Sequence, residues 1–159
     1  MIYRVFTDGA TSNNGQEGAK GGWGFAIYDE EGLVMSGSGY AYDTTNNKME
    51  LKAIIEGLAA VRLLIENDDF NSIYVFSDSA YCVNCVEQKW YAKWQKNGWC
   101  NSKKEPVKNK ELWKQLIPYF ENPQFFFKKV KGHSGIEENE YVDKLAREAI
   151  ITLREGGLD

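Results

Sequence analysis

The chain has 159 residues, 43% of them hydrophobic and 14% aromatic, with three cysteines, one histidine and a net charge of −4. This length and composition exclude disorder and predict one soluble domain over residues 1–159, with a core that needs no staple. No apolar run reaches the roughly 18 residues of a membrane span, no basic-then-apolar leader opens the chain, and the net negative charge excludes a grip on nucleic acid by bulk charge alone; a cytoplasmic location is expected.

The first stretch, Ile2-Tyr3-Arg4-Val5-Phe6-Thr7-Asp8-Gly9, is a β-rich run closing on a carboxylate and a glycine. Aspartate is a poor strand former, so Asp8 is expected at the strand's end, pointing beyond the sheet. Residues 9–22 are rich in glycine and asparagine and cannot be strand throughout. Strands at Trp23–Tyr28 and Leu33 to about Ala41, joined by an Asp29–Gly32 turn, make an antiparallel meander with the first.

A helix opens at Asn47 and runs to about Glu66, with Ile54, Leu58, Val61 and Ile65 at helical intervals. Asn47 and Glu50 have the spacing of a capping box, so Glu50 is read either as a helix cap or as a site carboxylate. Ser72–Ser77 repeats the first strand's pattern and ends on Asp78. If the two strands are parallel, Asp8 and Asp78 reach the same edge of the sheet.

Helices follow at Ser79 to about Gln88 and at roughly Asn109–Phe120, with a loop over Lys96–Val107. A last strand spans Gln124–Val130, and Lys131–Gly135 forms a loop. The closing helix, about Glu138–Leu153, has an apolar stripe of Val142, Leu145, Ala146, Ala149, Ile150 and Leu153, with Asp143 beside it. The order implies an α/β fold: a five-stranded mixed sheet, three antiparallel strands and then parallel ones, with helices packed against it.

Cys82 and Cys85 have the spacing of a redox or zinc pair, but no second pair completes a zinc site, and they read as small buried thiols in a helix. Residues 89–114 hold eight lysines against two glutamates, a net +6 that leaves −10 on the remainder, and four of the five tryptophans. Lysine interleaved with tryptophan suits a phosphate backbone lying over sugars and bases. The same pattern also describes a solvated segment anchored to the core by its indoles, and both readings stand.

Asp8, Glu50, Asp78 and Asp143 sit at or near element ends. If those ends meet, four anions crowd one spot, which divalent cations would relieve. Carboxylate oxygens without cysteine or histidine favour Mg²⁺ or Mn²⁺. Two such ions about 4 Å apart suit a phosphodiester displacement.

The Thr7-Asp8-Gly9-Ala10, Gly21-Gly22-Trp23-Gly24, Thr45-Asn46-Asn47-Lys48-Met49-Glu50-Leu51, Ser77-Asp78-Ser79-Ala80-Tyr81 and Val130-Lys131-Gly132-His133-Ser134-Gly135 stretches, with Asn139-Glu140 and Asp143-Lys144-Leu145-Ala146, together resemble type 1 ribonuclease H, in order over most of the chain. The resemblance implies an RNase H-like fold with helices on both faces. It implies an endoribonuclease that cuts the RNA strand of RNA/DNA hybrids with two Mg²⁺ ions per site, Mn²⁺ substituting, and leaves 5′-phosphate and 3′-hydroxyl ends. It implies Asp8, Glu50, Asp78 and Asp143 as metal ligands, with His133 assisting proton transfer or product release.

The resemblance further places Asn14, Asn46 and Asn47 on the RNA strand, where 2′-hydroxyls distinguish RNA. It puts Thr45, Trp90, Lys93, Trp94, Lys96 and Asn109 on the DNA strand. Asp43 departs from the pattern: relatives often carry a basic residue there, and an acid beside a phosphate pocket repels unless it faces away. The expected partner is the hybrid alone, with no membrane and no obligate protein, for a monomer. Competing readings are a hybrid-binding module with a degenerate site, and another metal nuclease such as a 3′ exonuclease or integrase-like domain. A serine hydrolase is set aside, since Gly132-His133-Ser134-Gly135 is not a nucleophile elbow.

Overall fold

A computed structural model describes residues 1–14, 16–65, 71–132 and 135–156, with the backbone alone for 152–156. The elements are β1 (Ile2–Ser12), β2 (Lys20–Tyr28), β3 (Leu33–Tyr42), α1 (Asn46–Ile65), β4 (Ser72–Ser77), α2 (Ala80–Glu87), α3 (Trp90–Lys96), α4 (Lys110–Phe120), β5 (Phe125–Lys129) and α5 (Glu137–Gly156). They build one five-stranded sheet of order β3-β2-β1-β4-β5, with the first three strands antiparallel and β1-β4-β5 parallel. The expected mixed sheet is the observed one.

Alternation along each strand decides which helix covers which face. Val5, Phe25, Ile27, Ile73, Val75 and Phe125 point to one side, where α1, α2 and α4 bury them with Leu51, Leu58, Cys82, Cys85 and Trp113. Phe6 and Ala26 point to the other, where Val142 of α5 meets them. Gly22 and Gly24 also face α5: a Cβ on Gly22 would lie 2.1 Å from the Ala146 carbonyl oxygen. The glycine run is thus a flat bed for a helix, and β2 starts at Lys20 rather than at Trp23 as the turn-rich composition suggested.

Two further expectations change. β1 does not end at Asp8; it continues to Ser12 because β2 pairs with it as far as Ser12↔Lys20. On its other side β4 stops at Ser77, opposite Thr7, and that is where the sheet opens. The start of α1 is capped by Thr45, whose Oγ1 accepts from Lys48 N at 3.2 Å, so Glu50 lies beyond the capping position. Thr45→Ala is expected to cost about 1 kcal/mol, read as a lowered midpoint in denaturant at unchanged slope. An unchanged midpoint would remove the capping role.

Candidate metal centre

Rungs of the parallel pair fix the first two carboxylates. Phe6 lies opposite Phe76, their rings stacked with centroids 4.7 Å apart. One side-chain repeat further along the same face come Asp8 and Asp78. Glu50 joins them because α1 begins directly against β1: a Cβ on Gly9 would lie 2.5 Å from Glu50 N, so only glycine permits this approach. One carboxylate oxygen from each of Asp8, Glu50 and Asp78 falls within 4.8 Å of the others. Gly132 also passes close over Asp78, its missing Cβ 2.9 Å from Oδ2.

Burial makes this crowding costly. Asp8 is 4% exposed and Glu50 8%. Burial first, and then the charge of Asp78, raises Asp8 from 3.8 to about 7, although Gly9 N donates to its Oδ1 at 2.9 Å. Burial, followed by the charges of Asp8 and Asp78, holds Glu50 well above the usual carboxylate range. Glu50 Oε2 is buried without a hydrogen-bond partner. Hard oxygen donors, an unsatisfied lone pair and mutually repelling anions fit a divalent cation such as Mg²⁺ or Mn²⁺.

Asp143 lines the same depression, with Gly9, Asn46, Asn47 and Ser79, and its charge adds to the rise at Asp8. It lies outside the cluster of three, and its Oδ2 accepts from Arg147 Nε at 2.9 Å. Sequence reasoning missed Arg147, though aspartate followed by arginine four residues later on a helix was the available signal. His133 and Ser134 lie outside the described residues.

Beyond Asn46 and Asn47 the depression passes into a polar groove lined also by Asn14, Thr45, Lys48, Lys108 and Asn109. Asn14 Oδ1 accepts from Asn46 N at 2.8 Å, and Asn46 Oδ1 accepts from Thr11 Oγ1 at 2.6 Å. These hydrogen bonds tie the β1–β2 turn to the head of α1. Asp43 does not line the groove; its Oδ1 accepts from Gly18 N at 3.1 Å. The feared repulsion is therefore directed into a turn.

In the lysine-tryptophan segment the indoles pack on the core and the lysines face solvent. Trp113 is fully buried, its Nε1 donating to Tyr81 Oη at 3.0 Å, and Asn109 Nδ2 donates to the same hydroxyl at 3.3 Å. Trp90 and Trp94 are half-buried against that core, while Lys93 and Lys96 are exposed. Cys82 and Cys85 are buried free thiols, and burial raises both, Cys85 to about 12. No described helix is long and apolar enough to cross a membrane.

The RNase H family model matches residues 2–151. Ribonuclease H of Syntrophomonas wolfei subsp. wolfei is 45% identical over 150 residues, 94% of this chain and 96% of that one. Among solved structures, LC9-RNase H1, a type 1 RNase H with the type 2 active-site motif, superposes with a TM-score of 0.75 at 26% identity, covering 94% of this chain and 72% of that one. LC11-RNase H1, solved in complex with RNA/DNA hybrid, has the same fold, with a TM-score of 0.72 at 24% identity over 95% of this chain and 98% of that one. Sequence match, strand order and carboxylate cluster agree, and the chain belongs to the ribonuclease H family of hydrolases.

Proposed function

We propose that the chain is an endoribonuclease that cuts the RNA strand of RNA/DNA hybrids and leaves 5′-phosphate and 3′-hydroxyl ends. The observation that carries this reading is the buried carboxylate cluster of Asp8, Glu50 and Asp78 opening into an asparagine-walled groove. Two divalent cations, Mg²⁺ or Mn²⁺, would when bound there neutralise charge developing on the phosphodiester and acidify water. Asp8, Glu50 and Asp78 would hold them, with Asp143, at the rim of the same depression, as the fourth carboxylate of the set. His133 is assigned to proton transfer by the resemblance alone.

Asn14, Asn46 and Asn47 take the RNA strand, with Asn47, exposed between depression and groove, the side chain freest to meet a 2′-hydroxyl. Thr45 and Asn109 take a DNA phosphate at the groove, and Trp90, Lys93, Trp94 and Lys96 take the DNA strand along the basic segment. Residues 1–159 act as one domain and as a cytoplasmic monomer. The deciding experiment is a strand-specific cleavage assay on labelled RNA/DNA, RNA/RNA and DNA/DNA duplexes with and without chelator. Internal cuts confined to the RNA of the hybrid, and abolished by chelator, are expected; stepwise shortening of DNA ends overturns the proposal.

Lys93→Glu combined with Lys96→Glu is expected to raise KM at unchanged kcat, because these exposed side chains meet backbone phosphate rather than the scissile bond. The slope of log KM against log salt should fall by about one for each phosphate no longer neutralised. A fall in kcat at constant KM would contradict this placement.

A further inference from the structure

Helix α5 packs on β1, β2 and β3, and no described helix covers the β4–β5 half of that face. The register shows what is left open. Arg4, Tyr74 and Phe126 form one rung across β1, β4 and β5, and Phe6, Phe76 and Lys128 form the next. Asp8 and Asp78 follow on the same face. The Tyr74 and Phe126 rings are stacked, with centroids 5.0 Å apart and planes 18° from parallel. Neither belongs to either core cluster, and Phe126, on the edge strand, is 40% exposed.

A stacked pair outside the core, half-buried at Tyr74 and exposed at Phe126, gives up part of the burial that its rings could gain. What it offers instead is a π-face beside a cation. Lys128 is exposed and the two strand rungs carry no acid, while Arg4, over the Phe6 and Tyr28 rings, is paired with Glu138 of α5 at 3.8 Å. Aromatic rings on an open sheet face with an exposed lysine alongside suit single-stranded nucleic acid, whose bases stack and whose phosphates pair. The strip also leads somewhere: Asp78 follows directly on the end of β4, four residues beyond Tyr74, at most about 13 Å along the chain.

We propose that Tyr74, Phe126 and Lys128 form a stacking platform for single-stranded nucleic acid, running along the sheet face toward the carboxylate cluster. A base continues the Tyr74–Phe126 stack on the open side of Phe126, and its phosphate meets Lys128. Such binding does not depend on cleavage, so it is measured in chelator, and its failure leaves the hybrid-cleavage proposal standing.

The test is fluorescence anisotropy of labelled 12-nucleotide single-stranded RNA and DNA with the full chain at low salt. The background carries Lys93→Glu and Lys96→Glu to remove the basic segment's contribution. Phe126→Ala and Lys128→Gln are each expected to weaken binding about tenfold, and photo-crosslinks should map to β4 and β5. Both variants, in the otherwise unaltered chain, should cut a blunt hybrid at the parental rate. The RNA and DNA arms tell which strand the platform takes. Unchanged affinity in both variants, or crosslinks confined to other elements, overturns the proposal. So does a concentration-dependent dimer in sedimentation that Phe126→Ala abolishes without altering strand affinity, which would give the face to a second copy of the chain.

Discussion

Replacing Asp8 by asparagine should reduce hybrid cleavage by about a thousandfold or more and, in the same protein, raise the stability of the metal-free fold. The first effect follows from losing a central oxygen donor of the proposed cation site: several kcal/mol of charge stabilisation at about 1.36 kcal/mol per decade of rate. The second follows from electrostatics within the cluster. Asp8 sits at about 7 because burial and then Asp78 oppose its charge, and Glu50 is raised for the same reasons.

Groups held above their unfolded values stabilise the fold fully below the unfolded pKa and cease to do so as pH rises through the folded one. For Asp8 that window runs from 3.8 to about 7. Metal-free protein should thus lose stability across it, on the order of a few kcal/mol shared with Glu50. Added Mg²⁺ should restore more stability at the upper end than at the lower, since a bound cation takes the place of the missing protons. Asp8→Asn should melt higher than the parent in chelator near pH 7.5 and show no such gap near pH 4. Thermal melts with and without Mg²⁺ at several pH values check this. A variant that loses both activity and stability at every pH would point to misfolding rather than to removal of a crowded charge.

How much of this was legible in the sequence varies residue by residue. Asp8 and Asp78 were readable because two β-rich runs end on the same residue type, and each follows directly on the last parallel rung, Thr7↔Ser77. Glu50 was ambiguous, since its spacing from Asn47 is also that of a cap; only Thr45's hydrogen bond to Lys48 N decides it. The opening in the sheet belongs to the end of β4 and not, as the run up to Asp8 suggests, to the end of β1. Local propensity describes β1 near Asp8, but pairing with β2 carries it on, and pairing is a tertiary fact. Trp113 could not be told from Trp90 and Trp94 by composition, because interleaved lysine and tryptophan look alike whether an indole faces the core or a ligand. Asp43 looked like a defect in a phosphate pocket because sequence gives a position and not a direction.

Gly9→Ala is expected to damage activity without touching any charged group. An added Cβ would meet Glu50 N and Met49 C at 2.5 Å and Met49 Cβ at 2.8 Å. Two of these atoms are backbone, so no rotamer change relieves the clash, and the head of α1 must retreat from β1 by roughly 1 Å to regain ordinary van der Waals separation. Glu50 moves with its own backbone, while Asp8 and Asp78 stay on strands held by their sheet pairing. The cluster of three widens at one member only. A displacement of that size costs about a hundredfold in rate, and the overpacking itself costs about 1–3 kcal/mol. The Mg²⁺ concentration giving half-maximal stabilisation in thermal melts should rise as well, which a purely structural lesion would not produce. Gly57→Ala is the matched control. It lies on the same helix, and its Cβ would come 3.0 Å from Val5 Cγ1 and 3.2 Å from Phe25 Cβ, side-chain atoms far along α1 from the cluster. That variant should shift stability while keeping the parental Mg²⁺ midpoint and cleavage rate. Should Gly9→Ala keep them too, the approach of strand and helix at Gly9 is not what sets Glu50 in place.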